Sequence, residues 1–349
     1  MREGSASTAT KTPPARLSGP QGDDADAERR RARTAAVGTA LVGVAVVAVL
    51  TGPWLERRFG LAALGAWRTL LVAIVMQGVP FLVLGTIVSA AIGAFVPDRV
   101  FSRILPRNPV LAVPVAGVAG VVLPGCECAS VPVAGSLMRR GVAPAAALTF
   151  LLAAPAVNPV VLVATTIAFP GRPEMVAARF VASLAASIAM GWLWIKRGRE
   201  EWLRLPKGHT HSAPGAGRLE AFRRGLQHDF LQAGGFLVIG AMAAATFNVL
   251  VPPSVLEAFS GSPWLGLLVA AALAVLLSVC SEADAFVASS FTGFSPTARL
   301  AFMVVGPMVD MKLIALQSGA FGRAFAVRFC AATFVVATLC AVLVAGVLL

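Results

Sequence analysis

The chain has 349 residues, 57% hydrophobic and only 13% charged, with a mean hydropathy of +0.80. A soluble domain carries nearer a quarter charged residues, so this composition excludes one and points to an all-α polytopic membrane protein. The net charge of +12 arises from 29 basic residues, which fall in the tail and in loops between apolar runs; that is the pattern of topology signals in a lipid bilayer, not of a nucleic-acid surface, which gathers its basic charge on one soluble face.

Residues 1–33 are rich in Ser, Thr, Ala and Pro with mixed charge, and are expected to form a disordered cytoplasmic tail. Arg29, Arg30, Arg31 and Arg33 then precede an apolar run over 34–52. With no small-residue cleavage site before Pro53, this run reads as an extra N-terminal transmembrane helix with its N-terminus in the cytoplasm. Further apolar segments cover roughly 69–96, 109–138, 142–169, 174–195, 229–251, 264–292, 296–318 and 324–349. Each long run reaches the ~20 residues that cross about 30 Å of hydrocarbon. Between 174–195 and 229–251 lies a basic loop, 196–228, whose His209-Thr210-His211 reads as solvated.

The chain repeats itself. Gln77, Phe81-Leu82-Val83, Gly85, Ala90 and Val96-Pro97 match Gln232, Phe236-Leu237-Val238, Gly240, Ala245 and Val251-Pro252 at a constant shift. Later, Gly141, Pro144, Ala146, Leu148, Phe150, Pro155 and Val157 match Gly293, Pro296, Ala298, Leu300, Phe302, Pro307 and Val309. These matches define two membrane repeats, 69–195 and 229–349. If 109–138 and 264–292 each dip into the bilayer and return, then Arg99, Arg103, Arg107, Arg139, Arg140 and the 196–228 loop all fall on one side. Loops 252–263 and 293–295, without Lys or Arg, fall on the other, with Arg172 as the one exception. The positive-inside rule favours this arrangement over four full crossings per unit. It makes the repeats inverted, with broken or re-entrant helices, a design found among secondary transporters.

Charge inside the apolar segments is sparse: Glu127, Glu282, Asp284, Asp310 and Lys312. Facing lipid, five such groups would cost on the order of 15 kcal/mol at ~3 kcal/mol each, so they are expected to face one another or a water-filled cavity. Lys312 is the natural counter-ion for Glu282, Asp284 or Asp310. Neighbours two apart on a regular helix diverge, which argues against Asp310. Glu282, Asp284, Asp310 and Lys312 suit a polar relay for protons or ions. In the first repeat the position of Asp310 is held by Asn158, between Pro155 and Pro159. Prolines there remove backbone donors and break the helix, freeing carbonyls to face a cavity.

Thiols supply the other chemistry. Cys126 and Cys128 flank Glu127 in Pro124-Gly125-Cys126-Glu127-Cys128, and Cys280 falls opposite Cys126 in the second repeat. Thiolates select soft ions such as Cu(I), zinc or trivalent metalloids. Cys126 and Cys128 alone make an incomplete tetrahedral metal site, which Cys280 would extend to three sulfurs. Cys330 and Cys340 sit in the last span and read as small hydrophobes. No P-loop, dinucleotide fingerprint or nucleophilic triad is present in the sequence, so no cofactor and no enzyme activity are expected.

Pro124-x-Cys126-x-Cys128-x-x-x-Pro132, Gly141, Ala153-Ala154-Pro155 and Asn158-Pro159 resemble the predicted permease family that includes the organoarsenical efflux permeases. Cys280-Ser281-Glu282-Ala283-Asp284-Ala285-Phe286 and Gly306-Pro307-Met308-Val309-Asp310-Met311-Lys312 resemble it too, and the likeness spans about 69–349. It implies a bacterial inner-membrane permease. One branch is tied to trivalent organoarsenicals; in another, which the Cys126-Glu127-Cys128 form resembles more closely, the permease is often paired with a second small membrane protein.

Together these readings anticipate a secondary transporter that exports a soft metal, metalloid or organoarsenical-like substrate by alternating access. Cys126, Glu127, Cys128, Asn158 and Cys280 would contact substrate, while Glu282, Asp284, Asp310 and Lys312 would form the relay. A second small subunit or a homo-oligomer is the expected protein partner. The rival readings are a membrane thiol-disulfide oxidoreductase cycling Cys126 and Cys128, and a scaffold subunit of a membrane complex.

Overall fold

The computed structural model describes residues 62–95, 106, 108–121, 127–203, 218–250 and 262–349. The tail, the 34–52 span, Cys126 and the two loop histidines lie outside the described residues. Among the described residues the chain is helical, with no strand. The first half runs α1 (Ala62–Phe95), α2 (Pro109–Ala119), α3 (Glu127–Arg139), α4 (Pro144–Val157), α5 (Pro159–Ala168) and α6 (Pro173–Arg197). The second runs α7 (Arg218–Leu250), α8 (Pro263–Leu277), α9 (Asp284–Ser290), α10 (Pro296–Val305), α11 (Met311–Phe321) and α12 (Arg323–Leu348).

Proline punctuates these helices at their starts. Pro109, Pro144, Pro159, Pro173, Pro263 and Pro296 each open one, where the missing N–H costs nothing and the fixed φ is already helical. Polar caps complete several of the same ends: Asn108 accepts from the Val110 N–H, and Ser295 from the Ala298 N–H.

Among the described residues, five stretches are long and apolar enough to cross a membrane: Ala63–Phe95, Pro144–Ala168, Pro173–Arg197, Phe222–Leu250 and Arg323–Leu348. The second of these is α4 and α5 in sequence, broken at Asn158. The helix α7 begins at Arg218 rather than near residue 229, taking up the end of the stretch read from sequence as loop. An Arg224–Glu220 ion pair one turn apart, at 2.7 Å, supports this polar extension.

Contacts at the helix ends fix their directions. Phe95, closing α1, lies 5.9 Å from Phe222 near the start of α7. At the other end Trp67 Nε1 donates to Thr246 Oγ1 at 3.0 Å, so α1 and α7 are antiparallel. Trp194, near the end of α6, meets Phe325 near the start of α12 edge-on at 5.5 Å, so these two are antiparallel as well. Lys196, Arg197, Arg139, Arg140 and the start of α7 thus share one end, the Arg-rich end.

The first hairpin enters and leaves at that end. Trp192 Nε1 donates to the Val110 carbonyl at 3.1 Å, placing the start of α2 beside the end of α6. Deeper in, a Cβ on Gly120 would strike Ala153 and Ala154 of α4. Helices α2 and α4 therefore descend side by side, and α3 returns between them in sequence, turning through Gly141 at φ +82°. With 11 residues, α2 spans only about 16 Å, half of the hydrocarbon thickness. The start of α2 and the end of α3 thus both lie at the Arg-rich end.

The short helices α4 and α10 occupy the centre: every α4 residue from Ala145 to Val157 is buried, as is α10 from Leu300 to Val305.

Candidate functional site

Two helix breaks and two hairpin tips meet inside the bundle. In the first half the break is at Asn158, which stands in extended backbone (φ −70°, ψ 155°) and caps α5 by accepting from the Val161 N–H at 2.9 Å. Its Nδ2 donates back to the Ala154 carbonyl in the last turn of α4. In the second half the break runs from Gly306 to Asp310. Asp310 is likewise extended (φ −142°, ψ 171°) and caps α11 by accepting from the Leu313 N–H. The two residues matched in sequence do the same structural work.

Asp310 also makes an ion pair that helix geometry argued against. Its Oδ2 lies 3.3 Å from Lys312 Nζ. The reason is the cap: Asp310 is outside the helix, so its carboxylate folds back over the first turn instead of diverging from Lys312. The shorter partner of Lys312 is Glu127, whose Oε1 accepts from Nζ at 2.8 Å. Glu282 and Asp284 are therefore not its ion-pair partners. Lys312 and Glu127 are each 1% exposed. Glu127 opens α3 at the tip of the first hairpin, where the helix N-terminus favours a negative charge. A lysine at the start of α11 is unfavourable for the same reason, and the two carboxylates offset it.

The second hairpin contributes Cys280, whose Sγ is 3.8 Å from Lys312 Nζ. Lys312 thus joins both hairpin tips and the α10–α11 break. Cys128 also lies within electrostatic reach of the ammonium; its Sγ is turned toward α1, 3.7 Å from where a Cβ on Gly78 would stand. Among the described residues no three His, Cys, Asp or Glu side chains come together as a metal site. Glu282 is half-buried in the break before α9 and sits in the electrostatic field of both Glu127 and Lys312.

Asp284, at the start of α9, has a different partner that the sequence reading missed. Arg179 of α6 is fully buried and donates through Nη2 to Asp284 Oδ2 at 2.7 Å and to the Ser281 carbonyl at 3.2 Å. Its Nη1 donates to Thr165 Oγ1 of α5 at 2.8 Å. The available signal was an arginine inside an apolar run, but Arg179 stands less than two turns from Pro173 and resembles an interfacial residue. Breaking either buried pair by removing one partner leaves an uncompensated charge, at about 3–5 kcal/mol.

The described site therefore has two centres: Glu127–Lys312–Asp310 with Cys280, and Arg179–Asp284 with Thr165. Asn158 belongs to the frame around them.

The family model described as "Predicted permease" (ArsP_1) matches residues 63–346. The chain belongs to this predicted permease family. The permease is 36% identical over 263 residues to the UPF0718 protein YcgR of Bacillus subtilis (strain 168), covering 74% of this chain and 90% of the relative. It is 29% identical over 263 residues to the "Putative two-component membrane permease complex subunit" of Streptococcus mutans serotype c, covering 74% of this chain and 87% of the relative. No solved structure matches the chain. The permease is accordingly a multi-pass membrane protein of a predicted permease family.

Proposed function

We propose that the permease is a secondary transporter of the bacterial inner membrane, exporting a soft, thiol-reactive metal or metalloid species by alternating access coupled to protons. The observation that carries this reading is the position of Lys312, which holds Glu127 from one hairpin tip, Cys280 from the other and Asp310 from a helix break. A group bonded to three segments that move relative to one another senses their arrangement. Glu127, Glu282, Asp284 and Asp310 outnumber Lys312 and Arg179 by two, so the ionised cluster carries excess negative charge in a low-dielectric interior. Protons or a cationic substrate offset that charge.

The soft-ligand assignment rests on Cys126, Cys128 and Cys280. Sulfur ligands of this kind select soft ions over hard ones. Inverted repeats over 69–195 and 229–349 supply the alternating geometry: α1 opposes α7 in direction, α6 opposes α12, and Asn158 and Asp310 cap equivalent half-helices. The Arg-rich end is the cytoplasmic one by the positive-inside rule, which puts the N-terminal tail in the cytoplasm if 34–52 spans. The name of the Streptococcus mutans relative supports a second membrane subunit here.

The test is retention followed by flux. Purified permease is incubated with soft metals and metalloids, organoarsenicals included, and bound elements are measured by mass spectrometry beside a variant with Cys126, Cys128 and Cys280 all replaced by Ser. Stoichiometric retention lost in the variant, with matching flux in proteoliposomes, is the expected result. Equal flux through a well-folded triple variant removes thiols from the mechanism.

A further inference from the structure

The Arg-rich end carries a second constellation, on the side where α6 meets α12. Helix α6 finishes on Lys196 and Arg197 and stops at Gly198. A Cβ at Gly198 would strike both the indole and the carbonyl of Trp194 at 2.5 Å, so the chain turns back over that ring only with glycine there. One 3₁₀ turn, Glu200–Trp202, then sets Trp202 edge-on to Trp194 at 6.5 Å. Trp194 in turn packs edge-on against Phe325 and Phe329 of α12, at 5.5 and 6.2 Å. An aromatic wall thus joins the two spans.

Two guanidinium groups converge on Trp202. Arg328 Cζ lies 4.7 Å from the centre of its ring, and Arg199 Cζ 5.9 Å. Contact with an indole face orients a planar guanidinium and leaves its N–H edges to donate elsewhere. Lys196, Arg197, Arg199, Arg323 and Arg328 are all exposed, and among the described residues none has an ion-pair partner. Against these five, the same stretch brings Glu200 and Glu201, and the next acidic residue along the chain is Glu220. The positive-inside rule accounts for charge at this end, but not for two guanidinium groups set on one ring. Beyond Arg328 the α12 surface turns apolar: Val335, Leu339 and Leu343 continue its face as an exposed stripe.

We propose that Arg199, Trp202 and Arg328 form a headgroup site for an anionic phospholipid of the leaflet at the Arg-rich end. The two guanidinium groups hold its phosphodiester, and an acyl chain lies along Val335, Leu339 and Leu343. Guanidinium suits this ligand because its paired N–H groups match two phosphate oxygens, and basic clusters beside spans attract anionic leaflets. The apolar stripe decides for a lipid over a soluble phosphate, which has no tail to lay there. A lipid so placed bridges the 198–203 turn and α12, and braces α6 against α12. The site uses neither the thiols nor Lys312, so it stands or falls apart from the transport reading.

Native mass spectrometry of the whole permease tests the site, with phosphatidylglycerol, phosphatidylcholine and glycerol 3-phosphate as probes. Wild type should retain phosphatidylglycerol at concentrations where phosphatidylcholine is lost, and the Arg199→Ala/Arg328→Ala double variant should retain about tenfold less. Arg223→Ala/Arg224→Ala removes the same charge from the exposed start of α7 and should retain the lipid as wild type does. Equal loss in both double variants means diffuse attraction and overturns the site. Equal retention of phosphatidylcholine overturns it too, as does displacement of the lipid by an equal concentration of glycerol 3-phosphate. A second measurement needs no variant to fold: wild-type permease in phosphatidylcholine nanodiscs is irradiated with a photoactivatable phosphatidylglycerol. Adducts should concentrate in 194–203 and 323–343, and adducts spread evenly over the lipid-facing helices, or absent from both segments, overturn the proposal.

Discussion

Asn158 and Asp310 separate two jobs that one residue performs in the second half. Both cap a half-helix through Oδ1 and a backbone N–H three residues on, and a carboxamide does this as well as a carboxylate. Only Asp310 adds charge beside Lys312. Asp310→Asn should therefore keep the cap and the fold, with a melting temperature in detergent within a few degrees of wild type, while transport falls at least tenfold. Asp310→Ala loses the cap too, at about 0.5–2 kcal/mol, and should melt measurably lower. Equal transport by Asp310→Asn would falsify a charge role for this position. The break at Asn158 was legible in sequence because Pro155 and Pro159 are local signals, and the repeat matched it to Asp310; the caps themselves were not read. The ion pairs were not legible, because Glu127 reaches Lys312 only when the first hairpin tip meets the α10–α11 break from a distant part of the chain. Lys312 is singled out by rarity in an apolar run; its partner is decided by tertiary packing alone.

At the scale of elements, the start of α3 and the start of α11 come close to α1 and α7 because those two helices carry glycine at equivalent places. A Cβ on Gly85 would fall 2.5 Å from Ala129 Cα in the first turn of α3, and one on Gly240 would fall 2.6 Å from Lys312 Cα in the first turn of α11. Small residues of this kind let membrane helices approach backbone to backbone. Both contacts are with backbone, which has nowhere to move without carrying the ionic centre along. Gly240→Ala should push α11 from α7, lower the melting temperature and reduce transport. Gly234→Ala, whose Cβ would meet only Leu82 Cδ2 at 3.9 Å, gains helix propensity at no steric cost and should be neutral or stabilising. Paired thermal scans of the two variants decide this, and similar losses in both would mean that the close approach is not what matters. The matched Gly85 and Gly240 were visible as part of the sequence repeat. That they are contact points was not, since only the partner helix reveals what a missing side chain admits.

The whole molecule shows an asymmetry between its halves. Helix α1 packs along α3, and α7 packs along α11. The pairs that the repeat would make equivalent, α7 with α9 and α1 with α5, make few contacts or none. Two halves with the same connectivity but different packing are what one state of an alternating transporter requires, because exchanging the two packings moves the opening from one face to the other. Under the proposed alternating access, the opposite state would close α5 on α1 as α11 closes on α7, and loosen α3 from α1. Non-cysteine spin labels at Met76 of α1 and Val163 of α5 report this directly, since both side chains are well exposed on the helix surface and tolerate a label. Pulsed distance measurements in nanodiscs should show one population that acquires a second, shorter distance when soft substrate or acid pH is applied. Glu127→Gln, which removes the charge at the centre, should shift the balance between the two populations without creating a third. A single distance under every condition would mean that the packing difference is fixed into the fold, and the inverted halves would then serve architecture rather than exchange.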